Sequence, residues 1–174
     1  MFSGILTLLY LGVCVVAADG ARYYGYGSGI KGLPLLYADG VAYIGNLPPP
    51  DTVVGTNVTL VSQDVSDGSF SASPTNQSLS SSGNWTSPKL VINNNSGAFA
   101  AAEFEANPNT TVTSTGFDNW GTMLVWISDS GDITTKWYAE PVDDNLWVLK
   151  WNVDNTASDT ATPVVLKTLA PVKK

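Results

Sequence analysis

The chain has 174 residues, enough for one domain to bury a core without help from metals or disulfides. Charged residues make up 13% and hydrophobic residues 44%, a balance too apolar for a disordered chain and too polar for a membrane protein beyond the amino terminus. Fifteen acidic against eight basic residues, a formal charge of −7, argue against a nucleic-acid partner, and the absence of histidine excludes a Ser-His-Asp triad, a Cys-His pair and an imidazole proton shuttle.

Phe2 to Val16 (FSGILTLLYLGVCVV) form an apolar run followed by small residues at Ala17 and Ala18. This pattern predicts a cleaved signal peptide over residues 1–18, a mature chain starting at Ala18 or Asp19, and a secreted protein. The run is shorter than the roughly 20 apolar residues of a membrane-spanning helix and no second stretch follows, so no span is expected after cleavage. An uncleaved anchor is the alternative reading. The single cysteine, Cys14, lies inside the predicted signal peptide, which leaves the mature domain without disulfides.

Residues 19–32, with the Gly/Tyr segment Arg22 to Gly32 (RYYGYGSGIKG), show no period and are expected to form a flexible arm. Leu33 to Ala38 and Val41 to Gly45 flank Asp39-Gly40, a dipeptide suited to a tight hairpin turn. Pro48, Pro49 and Pro50 then end any ladder. Further strands are predicted at Val58 to Gln63, Ser69 to Ser73, Lys89 to Asn93, Ala98 to Ala106 and Thr122 to Ile127, divided by Ser-, Asn- and Gly-rich turns. Ser128 to Asp132 read as a turn into Ile133 to Ala139, where Ile133, Thr135 and Trp137 share a face. Leu146 to Val153 alternate in the same way, and Val164 to Leu169 form a last strand before a short basic tail at 171–174. No segment shows capped helical spacing. The fold expected over residues 33–170 is a single all-β domain, an antiparallel sandwich or barrel, with almost no helix.

Five Asn-X-Ser/Thr sequons, at Asn57, Asn76, Asn84, Asn94 and Asn109, all fall between positions 57 and 109 and are the candidate N-glycosylation sites, clustered on one flank. Ordinary turn chemistry would use the same residue types, and both readings place them on the surface.

Five of the six tryptophans, Trp120, Trp126, Trp137, Trp147 and Trp151, are crowded into one stretch. Their alternation predicts that Trp137, Trp147 and Trp151 fill the core, with Trp126 in the same meander. Trp85, inside a sequon, and Trp120, beside a turn glycine, are the candidates for carbohydrate contact. Glu103 and Glu105 stand two apart in one strand, near the spacing of a glycosidase carboxylate pair, although such pairs ordinarily come from different strands. Asp129 and Asp132, and Asp143 with Asp144, offer oxygens to calcium but lack a full ligand pattern, so no metal site is assigned.

The segment LPLLYADGVAYIG (residues 33–45), with the apolar leader, the Ser/Thr/Asn-rich turns and the sequons, resembles small secreted surface proteins of filamentous fungi. Among these, the cell-wall proteins of the phialide type and the related IgE-binding antigens carry cysteines that the mature chain here lacks. The resemblance implies a secreted or wall-associated role, at a host interface in some settings, and brings no catalytic residue with it. The expectation is therefore a secreted, N-glycosylated, non-enzymatic protein with a structural or binding role at a cell wall or extracellular surface. Its partner would be a wall polysaccharide or an extracellular protein, and no cofactor is implied. Two alternatives are a carbohydrate-binding module or carbohydrate-active enzyme using Glu103 or Glu105, and a secreted effector that binds a host protein. An exposed aromatic row would favour carbohydrate binding, and two carboxylates facing across a groove would favour the enzyme.

Overall fold

The turn at Asp39-Gly40 forms as its residues dictate, with both in the left-handed region at φ of 46° and 89°. The Asp39 carboxylate accepts hydrogen bonds from the backbone N–H of Val53 (2.9 Å) and Val54 (2.8 Å), which ties the turn to the chain that returns after the three prolines. The computed structural model describes residues 20–81, 83 and 85–172. The expected signal peptide, the sequon asparagine Asn84 and the last two lysines of the basic tail lie outside the described residues.

This turn joins β3 (Ile30–Ala38) to β4 (Val41–Gly45), and the outer edge of each strand is divided between two partners. On β3, residues 36–38 pair with β5 (Gly55–Asp64) and residues 30–34 pair with β2 (Tyr24–Gly27). On β4, Val41 pairs with β9 (Glu103–Glu105), whereas Tyr43, Ile44 and Gly45 pair with β14 (Leu146–Asn152).

The pairings close into two antiparallel rings that share the hairpin. The first runs through β5, β6 (Ser69–Pro74), β7 (Lys89–Val91) and β9 back to the hairpin. The second runs through β2, β15 (Thr162–Lys167), β13 (Trp137–Asp143) and β14. Two short strands extend them, β1 (Ala21–Arg22) on β5 and β8 (Phe99–Ala101) on β14. A flap of β10 (Phe117–Trp120), β11 (Met123–Ile127) and β12 (Ile133–Thr134) joins the second ring through Met123 and Lys167. The helix α1 (Gln77–Ser81) caps its first turn with Asn76, whose side chain accepts from the Ser78 N–H.

The all-β expectation is met, and its corrections are local. The segment expected as a flexible arm is β1, β2 and the start of β3. Tyr23 is fully buried and donates its hydroxyl to Asn119 Oδ1 (2.6 Å). Gly25 lies so close to Ile44 that an added Cβ would come within 2.6 Å of it, so this glycine serves close packing. A period of two runs through the segment, but a glycine at the inward position hides it.

The single strand expected over Ala98 to Ala106 breaks at Ala102. Its N–H bonds Leu149 O (2.8 Å) on the second ring while its carbonyl accepts from Ala42 N (2.9 Å), so the chain changes ring there. The strand expected over Ile133 to Ala139 also divides. Ile133 pairs with β11 and is 46% exposed, and the chain bends at Thr135-Lys136 before Trp137 opens β13.

Side chains from both rings form one apolar cluster that includes Leu35, Ile44, Leu60, Leu90, Leu149 and Leu166. Trp137 and Trp151 face each other in register, edge to face with centroids 4.7 Å apart, and Phe117 stacks on Trp137 at 6.3 Å. The Trp137 indole N–H is satisfied by Leu124 O (3.1 Å). Both indoles are about 1% exposed, as the alternation predicts. Trp147, expected in the core with them, is half-buried at the end of the strand, opposite Ile44 and Pro141.

Trp137→Ala or Trp151→Ala should each cost about 3–5 kcal/mol of stability, and Trp147→Ala clearly less. Urea midpoints check this, and an equal loss at all three sites would contradict the placement of Trp147.

Burial raises the Tyr23 hydroxyl to about 12, from an ordinary value of 10.0, with the Asn119 hydrogen bond opposing the shift and the nearby Asp118 charge adding to it. Because the folded value lies above the unfolded one, this contribution is intact below pH 10 and is lost as pH rises toward 12. Alkaline unfolding should lose that component in Tyr23→Phe, measured as denaturation midpoint against pH.

Candidate functional site

The sequons separate by ring. Asn57 lies on β5, Asn76 follows β6, Asn94 follows β7 and Asn109 follows β9, so the four described sequon asparagines all belong to the first ring. Asn76, Asn94 and Asn109 are exposed. Asn109 Oδ1 accepts from the Thr111 N–H (2.8 Å) and from its hydroxyl, a local turn that leaves the amide nitrogen toward solvent. Asn94 and Asn109 are neighbours, since Asn95 Nδ2 donates to Thr111 O (3.0 Å). Asn57 differs: its strand runs between β3 and β6, it is half-buried, and its Oδ1 is buried without a partner.

The two tryptophans singled out for sugar contact have different surroundings. Trp85 is half-buried, its indole N–H bonded to Ala72 O (2.9 Å) and its ring edge-on to Tyr37 at 4.9 Å, so it closes the first ring and offers little free face. The apolar payload of the ring outweighs its polar sequon context. Trp120 is 61% exposed at the tip of the β10–β11 hairpin, beside Gly121 with φ of 63°.

Glu103 and Glu105 flank the buried Phe104 on one strand and point to its outer face, where Glu105 stands opposite Lys89 and Glu103 between Val41 and Val91. They therefore form one polar strand face, without the facing walls a glycosidase pair needs. Asp132 is used within its turn, accepting from the Ser130 hydroxyl (2.7 Å), and Asp143 accepts from the Asp144 N–H (2.7 Å). Among the described residues no group of three His, Cys, Asp or Glu side chains is placed to hold a metal ion.

What the sequence reading missed is the company that Trp120 keeps. Strand register sets Trp120 beside Met123, Met123 beside Lys167, Lys167 beside Tyr24 and Tyr24 beside Pro34. Directly opposed residues point to the same face, so these five side chains form one row across β10, β11, β15, β2 and β3. With strands about 4.8 Å apart, the row is about 19 Å long. It lies on the outer face, because the alternating neighbours Tyr23, Leu124, Leu166 and Leu35 are buried in the core. The next row holds Tyr26 and Lys31, and the Lys167 ammonium sits 5.9 Å above the Tyr26 ring. Beside them a cleft of about 570 Å³ opens between Tyr26, Lys31 and Lys167 and the chain at Leu169, Pro171 and Val172. Tyr24 and Tyr26 were hidden by the assignment of their segment to a flexible arm.

The fold and this surface define an all-antiparallel β protein of two fused rings, one carrying the described sequons and the other an aromatic and cationic row. No protein-family model matches the chain, and no match is found among curated proteins or solved structures.

Proposed function

We propose that this chain is a secreted, N-glycosylated, non-enzymatic protein with a structural or binding role at a cell wall or extracellular surface. The observation that carries this reading is the confinement of the described sequons to one ring, with three asparagines exposed on turns where a bulky glycan meets no packed neighbour. The apolar leader with its small-residue end supports secretion. The absence of histidine, the single cysteine in that leader and the same-strand placement of Glu103 and Glu105 support a role without catalysis. The resemblance of residues 33–45 to secreted fungal surface proteins agrees with a location at the wall.

The test is expression in a secreting eukaryotic host, followed by amino-terminal sequencing, wall fractionation and mass analysis after enzymatic deglycosylation. The expected outcome is a mature start at Ala18 or Asp19, material in the medium or wall fraction, and glycans at Asn76, Asn94 and Asn109. Asn57 should be the least occupied of the four described sites, because its side chain is half-buried in a paired strand. An intact Met1, or all five asparagines unmodified, would contradict the reading.

A further inference from the structure

We infer that the outer face of β10, β11, β15, β2 and β3 is a binding platform for an extended acidic polysaccharide, an inference that rests on the extracellular role proposed above. Its first support is shape. Trp120 and Tyr24 stand three strands apart in the register row, about 14 Å from one another, with Met123 and Lys167 between them and Pro34 beyond. Flat aromatic faces set along a line suit the apolar faces of successive pyranose rings. A sheet holds such a line more rigidly than loops do.

The second support is charge. The chain carries a formal −7, yet this face gathers Lys31 and Lys167. Lys31 is opposite Tyr26 and Lys167 is within the row, while Arg22 lies on β1 beside Thr59 of the first ring. Among the described residues the ion pair is Lys150 with Glu140 (2.9 Å), so these two cations have no carboxylate partner there. Asp118, two residues before Trp120 on β10, offsets part of this charge, and its carboxylate accepts from the Asn119 N–H (2.7 Å). A local excess of cations on an acidic protein selects a ligand with carboxylate or sulfate groups, which the acidic remainder of the surface repels.

The third support is the bareness of the face. The four described sequon asparagines sit on the first ring, while this surface is built from the second ring and its flap, with the amino-terminal half of the shared strand β3. Of these four, Asn94 comes nearest, lining a cleft with Trp126 and Ile127 at the end of β11 away from Trp120 and Met123, so glycans at the described sequons would border the platform and not cover its row.

The experiment is affinity electrophoresis of the secreted, glycosylated protein through gels containing polygalacturonate, its methyl-esterified form or a neutral β-1,3-glucan, with sedimentation against phosphatidylserine vesicles in parallel. Polygalacturonate should retard the protein, added salt should relieve this, and the esterified and neutral polymers should have little effect. Trp120→Ala should weaken binding about 10-fold, the scale of one lost aromatic contact. The pair Lys31→Glu with Lys167→Glu should abolish it. All three sites are on the surface, and unchanged urea midpoints confirm folding. Failure of polygalacturonate to retard the wild type, or equal retardation of both variants, overturns the platform. Equal retention by the neutral glucan overturns the acidic ligand, and binding to vesicles alone reassigns the face to lipid and overturns it too. If the wild type is absent from medium and wall, the extracellular reading fails, and the platform survives where wild type recovered from the cells is retarded by polygalacturonate and the variants from the same source are not. If the protein is secreted and both variants bind as the wild type does, the reverse holds.

Discussion

Four strands compete for the two outer edges of a single hairpin, and the arrangement of the whole chain follows from how that competition is resolved. Beyond residue 35, β3 has β5 on its free edge, and before it β2; the facing strand β4 is shared in the same way between β9 and β14. Each edge can satisfy its backbone groups only if one partner leaves where the next arrives. Ala102 makes this exchange on the β4 side, bonding Leu149 with its N–H and Ala42 with its carbonyl, and it is fully buried. The turn at Asp39-Gly40 makes the exchange possible on the other side, because the Asp39 carboxylate holds residues 53 and 54 where β5 must begin.

This explains which parts of the structure were legible from residue order. The hairpin, the long ladder of β5 and β6, and the pairing of β13 with β14 were readable because turn residues and alternation coincide closely with the actual strands, whereas the strand of Trp126 pairs with β10, β12 and β15 and not with β13. Trp137 and Trp151 were readable for the same reason. Strand breaks at Ala102 and at Thr135-Lys136 were not, since alternation continues through a change of partner and only the three-dimensional pairing reveals it. The segment at Tyr23 to Gly27 was hidden by composition: its glycines suggest freedom, whereas Gly25 is pressed against Ile44. The candidate row was half legible. Trp120 stood out beside its turn glycine, but its neighbours come from residues 24, 34, 123 and 167, a set that only register brings together.

The surface is partitioned along the same division. One ring holds the described sequon turns and the outward carboxylates Glu103 and Glu105, and the other, with its flap, presents tyrosines, an exposed tryptophan and two lysines that have no ion-pair partner among the described residues. Trp85, by contrast, belongs to a sequon and still packs inward, since its indole fills the gap beside Tyr37 and its N–H finds a carbonyl. Local sequence context marks a residue as near the surface, and packing decides which side of that surface its ring occupies.

The shared hairpin also bears on how the chain could be dissected or have arisen. The two rings differ in this respect: every strand of the first lies between Ile30 and Glu105, whereas the second is discontinuous, because β2 lies before the hairpin while β13, β14 and β15 come more than ninety residues after it, with the first ring's strands threaded between. A cut between Glu105 and Trp137 leaves the first ring's strands on one fragment, while a cut anywhere in the intervening segment parts β2 and the hairpin from the rest of the second ring. The segment from Ile30 to Glu105 is therefore the one stretch whose strands close a ring by themselves, and the second ring is an enclosure that needs both ends of the chain.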